Sequence, residues 1–325
     1  MTSALPHTSF QVPETGLLGA TSSSRKGPSR LVVGCGYLGM RVAARWLADG
    51  ARVFGVTRTP QRADQLAQAG IEPIVADVSV PGDLSMFSQV GDLATLFWSV
   101  GFDRVGNASH RDIHIEGFSR LLGVLSGQPR VIFSSSTGVW GDEDGKIINE
   151  QTPAQPTREN GRVLLDAENL LRGHRLGPGV VLRFAGLYGP GRLPRWADLQ
   201  AGKPIPADPE SWLNLIHVDD AASVVCVVAS NEKGSTSKSL ETLGPSQHFL
   251  PRPLYVVSDG VPLRRREWYG HLAMLAKSPL PTWDPIAPRT RGADKRIDPS
   301  LLFRDYAIPL AYPDSLQGLT AILRQ

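Results

Sequence analysis

"LVVGCGYLGMRVAARWLADG", residues 31–50, is the stretch that decides the fold. An apolar, β-branched start meets Gly34, Gly36 and Gly39 and then becomes a mostly apolar run of helix formers. Val42 and Trp46 stand four apart, as do Ala43 and Leu47, so each pair shares one face of a helix. Gly50 is placed to stop that helix. A strand that turns through Gly-x-Gly-x-x-Gly into a helix suits a bound diphosphate. The first glycine permits the tight turn, the second lets the anion approach the backbone, and the third packs helix on strand. Free N–H groups at the helix start, around Tyr37 and Leu38, would face the phosphates.

Outward from this stretch, strand and helix patterns alternate. "ARVFGVTR", "EPIVAD", "LATLFWSV", "RVIFSSS" and "GVVLRFAG" read as further strands, with helices between most of them. "LATLFWSV" is continuously apolar, as expected for a strand buried on both faces. The expected class is α/β: a doubly wound parallel sheet of the Rossmann kind with a smaller C-terminal substrate domain. Residues 30–190 are read as the nucleotide-binding domain and 191–325 as the substrate domain. Within the latter, 212–230 return to the first core, Asp219 is expected to cap a helix, and 231–253 are expected to form a mobile insertion. Residues 1–29, rich in Ser, Thr, Gly and Pro, read as a disordered tail. A transit peptide is the alternative, since Glu14 is their one acidic residue.

The chain has 325 residues, 41% hydrophobic and 20% charged, the balance of an ordinary globular protein. A formal charge of +3 argues against a nucleic-acid partner. The basic run Arg264–Arg266 is expected to be a solvated helix edge. No apolar stretch approaches the ~20 residues of a membrane helix. Cys35 and Cys226 lack CxxC spacing and are read as reduced thiols of an intracellular, cytoplasmic protein. The seven histidines are scattered without metal-ligand spacing, so no metal is expected.

The end of the second strand chooses the cofactor. An NAD site carries Asp or Glu there to hold the ribose 2′-hydroxyl. Here Thr57-Arg58-Thr59 stand in that place, with Arg62 a turn later. Arg58 can meet a 2′-phosphate with a charge-assisted fork, so NADP is expected ahead of NAD. Asp77, after the third strand, is a candidate for the adenine edge. Trp98 and Ser99 end the fourth strand, where the backbone would pass the cofactor.

Four separate motifs make the chain resemble the extended short-chain dehydrogenase/reductase superfamily, in its NAD-dependent epimerase/dehydratase group. "GCGYLG" is similar to the glycine motif and "FSSSTGVWG" to the strand-five motif. "LRFAGLYGPGR" is similar to the strand-six motif and "NLIHVDDAA" to the later His-Val-Asp-Asp motif. The resemblance spans about residues 30–325 and implies a catalytic Ser/Thr with a Tyr-x-x-x-Lys pair. Ser136 falls on the first position. Glu168, which matches the glutamate four residues past the lysine, places the pair at Asn160 and Leu164. Asn160 carries no proton at a usable pKa and Leu164 can neither charge nor hydrogen-bond. Tyr188 is the candidate substitute. His217 borders the implied substrate domain. Arg183 and Arg192 are candidates for an anionic substrate, and Arg162 with Asp166 reads as a surface ion pair. The short segment after Gly191 and the small C-terminal part resemble an atypical, sugar-nucleotide-epimerase-like subgroup.

Three functions compete on these readings. One is an NADP-dependent oxidoreductase or epimerase-like enzyme acting on a sugar-nucleotide-like or other anionic small molecule. The second is an NADP(H)-binding sensor that performs no chemistry. The third is a structural partner that keeps the fold and binds no nucleotide, and the intact glycine loop speaks against it. A homodimer is compatible with each.

Overall fold

Strand β1 (Ser29–Val33) is buried along nearly its whole length, because both faces of the sheet it belongs to are covered. In the computed structural model the described residues are 27–324, apart from 83, 85, 88–89, 102–107, 177–178, 231–252 and 285–292. Most of the expected N-terminal tail and the expected 231–253 insertion therefore lie outside the described residues. The tail boundary moves, however, since Ser29 already pairs with Arg52 in the sheet.

The strands that follow β1 are β2 (Arg52–Thr57), β3 (Glu72–Val75), β4 (Thr95–Trp98), β5 (Arg130–Ser136), β6 (Ile147–Ile148) and β7 (Gly179–Phe184). After them come β8 (Gly186–Tyr188), β9 (Trp212–Leu213), β10 (Leu215–His217), β11 (Leu254–Val257), β12 (Leu263–Arg264) and β13 (Arg296–Ile297). The helices are α1 (Gly39–Ala48), α2 (Pro60–Gln68), α3 (Phe118–Val124), α4 (Glu159–Gly173) and α5 (Trp196–Gln200), then α6 (Val218–Ser230), α7 (Arg265–Leu275), α8 (Ser300–Asp305) and α9 (Ser315–Leu323).

Seven strands form one parallel sheet in the order β11-β7-β5-β4-β1-β2-β3. The order reverses between β1 and β4, which opens a crevice at the strands' carboxyl ends. One face is covered by α1, α2, α6 and α8 through Val42, Trp46, Leu66, Val225 and Leu302. The other is covered by α3 and α4 through Phe118, Leu121, Ala167 and Leu171. A separate core around Tyr188, Leu215, Trp268, Leu272 and Leu319 unites α5, α7 and α9.

The interleaving goes deeper than the segment 212–230. Strand β11 pairs with β7 in the main sheet, and Leu302 and Tyr306 pack on the same core as α1. The strand is four residues long and isolated in sequence, so only its pairing reveals which sheet it joins. Asp219 does not cap α6 as expected. It lies inside the first turn, and its carboxylate accepts from Arg41 Nε on α1 at 2.9 Å, tying the two helices together. Gly50 does end α1, with φ +81°.

Arg264–Arg266 are not simply a solvated edge either. Arg264 stacks 3.7 Å above the Trp212 ring, Arg265 is buried and donates to Ser211 Oγ, and Arg266 pairs with Glu210. No helix among the described residues is long and apolar enough to cross a membrane.

Candidate dinucleotide and substrate site

The three glycines divide the work as their spacing implies. Gly34 has φ +96°, and a Cβ there would stand 2.5 Å from Ser99 O. A Cβ on Gly39 would run into the carbonyl oxygen of Gly34, so helix α1 is seated directly on the turn. Gly36 has nothing within 4 Å of its Cβ position. Its open side faces a cleft of about 240 Å³ lined by Gly34, Gly36, Arg58, Arg62, Asp77 and Ser99, among others. Helix α1 begins with no side-chain cap; the N–H groups of Met40 and Arg41 already turn back to Gly36 O and Leu38 O, which leaves those of Tyr37, Leu38 and Gly39 to a ligand. The residues present fit a dinucleotide: an open glycine over uncapped amides, with cations at one rim.

The structure sorts the remaining expected contacts. Arg58, Asp77 and Ser99 line the cleft. Asp77 Oδ1 accepts from the N–H and the hydroxyl of Ser79 at 2.8 and 2.6 Å, which fixes the loop after β3. Arg62, given only a passing place in the sequence reading, also lines the cleft. It reaches back to Cys35 O at 3.0 Å and so braces the glycine loop.

Tyr37 turns its ring away, donating to Pro190 O at 3.2 Å beneath the guanidinium groups of Arg41 and Arg192. Leu38 is buried in the core. Only the backbone N–H groups of these two can serve a diphosphate. At Trp98 the expectation concerns the backbone alone. Its side chain is fully buried against Phe118 and donates to His114 Nδ1 at 3.2 Å, away from the cleft. Successive residues of a strand point to opposite sides, and Ser99, not Trp98, is on the cleft side. Burial pushes both the Cys35 and Cys226 thiols up to about 12, so neither is a nucleophile at neutral pH.

On the substrate side, Ser136 ends β5 at the crevice. Its Oγ accepts the Gly138 N–H at 3.1 Å, leaving its O–H as a donor. Asn160 is exposed near the start of α4, while Leu164 packs between the main core and a smaller one around Trp140. Tyr188, expected as a substitute for the tyrosine that the resemblance implies, does not face the crevice. It is fully buried, edge-on to His217 and Trp268, with its hydroxyl against Gly318 of α9. Burial drives its pKa further up, the wrong direction for a proton carrier.

Arg183 is not an anion receptor either. It is 3% exposed and forks onto Glu168, Nε to Oε1 at 3.0 Å and Nη2 to Oε2 at 2.6 Å. Ser135 Oγ donates to the same carboxylate at 2.6 Å. This buried knot joins β5, α4 and β7 beneath Ser136. Sequence spacing could not show it, because Arg183 and Ser135 lie 15 and 33 residues from Glu168 in the chain.

His217 is a packed residue. Its Nδ1 accepts the Asp219 N–H at 3.2 Å and its ring lies 3.9 Å from that of Tyr312, centroid to centroid; burial lowers its pKa. Arg192 is exposed on the turn after β8 and pairs with no carboxylate among the described residues, so it remains available to an anion. Arg162 and Asp166 are surface groups as expected, but each has another partner: Glu159 and Arg111.

Asp259, beyond β11, is 7% exposed and is held by the Ser315 hydroxyl and the Val261 N–H. Burial pushes its carboxyl up to about 7, from an ordinary value of 3.8. Between those values the folded chain holds a proton that the unfolded chain has lost. Stability from this group therefore falls as pH rises through the window. Asp259→Asn is expected to remove that slope, at most about 1.4 kcal/mol per pH unit. Urea titrations of both proteins at pH 4.5, 6 and 8 measure it, and parallel stability curves would refute it.

Comparison with known proteins agrees with this geometry. The family model for the NAD dependent epimerase/dehydratase family matches residues 30–240. Protein YeeZ of Escherichia coli K12 is 32% identical over 210 residues, covering 62% of this chain and 73% of that protein. A candidate NAD-dependent epimerase/dehydratase from Methylobacillus flagellatus superposes with a TM-score of 0.68 at 28% identity. That match covers 91% of this chain and 98% of the other. The Thermus thermophilus UDP-glucose 4-epimerase, in complex with NAD, shares the fold at a TM-score of 0.67 and 17% identity, with 91% and 99% covered. With a matching family model over most of its described length and the glycine cleft where that fold needs one, this chain belongs to the NAD-dependent epimerase/dehydratase family.

Proposed function

We propose that the protein binds NADP(H) in the glycine cleft and acts on a sugar-nucleotide-like or other anionic small molecule, with an acid-base set that departs from Tyr-x-x-x-Lys. The observation that carries the cofactor reading is the rim of the cleft. Arg58 and Arg62 stand at the end of β2 and the start of α2, where a 2′-hydroxyl reader would need a carboxylate. Backbone N–H groups at the start of α1 would hold the diphosphate, and Asp77 and Ser99 would flank the rest. When bound, the nicotinamide supplies hydride transfer. The chain contributes a donor at Ser136 to orient a substrate oxygen and, at Arg192, a cation for an anionic group.

A charge-assisted fork from Arg58 to a 2′-phosphate is worth about 1.5–3 kcal/mol, roughly 10- to 100-fold in affinity. Arg58→Ala is therefore expected to weaken NADP(H) by that factor and to leave NAD(H) unchanged. Titration calorimetry with all four dinucleotides measures it. Equal affinity of the wild type for NAD and NADP would overturn the cofactor choice.

A second reading, an NADP(H)-binding regulator without turnover, draws on Asn160, Leu164 and the burial of Tyr188. A hydride-transfer screen of sugar nucleotides separates the two. Stabilisation by NADP(H) with no turnover on any of them favours the regulator.

A further inference from the structure

Lys295 precedes β13 and is 4% exposed. Its Nζ donates to Trp140 O at 3.0 Å and to Gly141 O at 3.2 Å. Those carbonyls close the turn that opens at Ser136. Ser136 Oγ caps it, Thr137–Val139 form one 3₁₀ turn, and the Trp140 N–H returns to Thr137 O at 3.3 Å. Lys295 is held in turn from the substrate side. Asn214, between β9 and β10, donates through Nδ2 to Lys295 O and accepts the Ile297 N–H at Oδ1, both at 2.8 Å. Asp294 accepts the Trp212 N–H at 2.8 Å, and its carbonyl takes the N–H groups of Glu143 and Gly145.

Among the described residues no carboxylate lies within ion-pair distance of the Lys295 ammonium. Asp142 and Glu143 face it at longer range from the loop after Gly141. Arg158 faces it from ahead of α4, and Arg265 from α7. Burying an ammonium without a counter-ion is unfavourable, and an aliphatic side chain would fill the same space without that penalty. What the ammonium adds is a grip on two consecutive carbonyls of the rim opposite the substrate domain.

We propose that Lys295 is a positioning residue for this site: by holding Trp140 O and Gly141 O it sets the Ser136 turn against the substrate domain, whose Asn214 sets Lys295. The proposal rests on the reading of Ser136 as the donor to a substrate oxygen. Burial lowers the Lys295 pKa to about 8, which gives the clamp a readout.

The test labels the seven tryptophans with 5-fluorotryptophan and identifies the Trp140 resonance by its absence in Trp140→Phe. In the wild type that fluorine signal is expected to titrate with a midpoint near pH 8. Lys295→Met shifts the signal and abolishes the titration. Lys295→Arg keeps the shift near wild type, without a titration below pH 10. All three bind NADP(H) alike, because Lys295 is not among the residues that line the cleft.

On a substrate found in the sugar-nucleotide screen, Lys295→Met is expected to lower kcat by ~10-fold with KM within about threefold, and Lys295→Arg to restore most of the loss. A Trp140 signal that neither titrates in the wild type nor moves in Lys295→Met overturns the clamp. Unchanged kcat overturns the positioning role, and so does a wild type that turns nothing over. Failure of the nucleotide reading shows up separately, as absence of any NADP(H) binding in the wild type.

Discussion

Gly34→Ala is expected to abolish NADP(H) binding and to destabilise the fold by about 2–5 kcal/mol, combining left-handed backbone strain with overpacking. The methyl group would stand 2.5 to 2.7 Å from Ser99 O, Ser99 C and Val100 N, which are backbone atoms at the end of a central strand and cannot swing aside. The φ of +96° adds a conformation that alanine resists. Gly36→Ala is the informative contrast. Nothing lies within 4 Å of its Cβ position, so the apo protein should keep its stability to within about 0.5 kcal/mol. Its methyl group would still occupy the space a diphosphate needs. Thermal denaturation with and without NADPH separates the two effects. A Gly36→Ala protein that binds NADPH as the wild type does would mean that the glycine cleft is not the dinucleotide site.

The other large effect is expected at Glu168. Removing this carboxylate leaves Arg183 buried and unpaired, and breaking one partner of a buried ion pair typically destabilises by about 3–5 kcal/mol. Ser135 loses its acceptor as well, and Arg172, 3.6 Å from Glu168, loses a counter-charge. Glu168→Ala should therefore be poorly folded or shifted far down in urea midpoint. Glu168→Gln should lose less, since one oxygen and the volume remain. The double replacement Glu168→Leu with Arg183→Met should recover much of the loss, because apolar isosteres remove both desolvated charges together. A fully stable Glu168→Ala protein would show that water reaches the pair and that the knot beneath Ser136 is not closed.

These effects differ in how far the sequence announced them. The glycine roles were legible because they are local: Gly34, Gly36 and Gly39 act within six residues, and backbone sterics fix what each can do. The parallel sheet was legible for the same reason, since each strand and its following helix carries its own periodicity. Arg58 was legible as a cleft cation because the end of the second strand has a set place in this topology. Tyr188 was misplaced because the direction of a side chain at a strand end depends on the packing around it. A large aromatic filled a core instead of facing the crevice. Arg183 looked like a free cation until Glu168, on another element, was found against it.

Taken alone, then, the sequence determined the class of fold and the position of the glycine cleft. Both rest on short-range backbone geometry. Tertiary structure alone decided which charges are neutralised, which hydroxyls are sealed in, and that β11 joins the main sheet. It also brought Lys295 onto a turn about 155 residues earlier in the chain. Burial and pairing across such separations follow from how layers stack, and no local pattern encodes them.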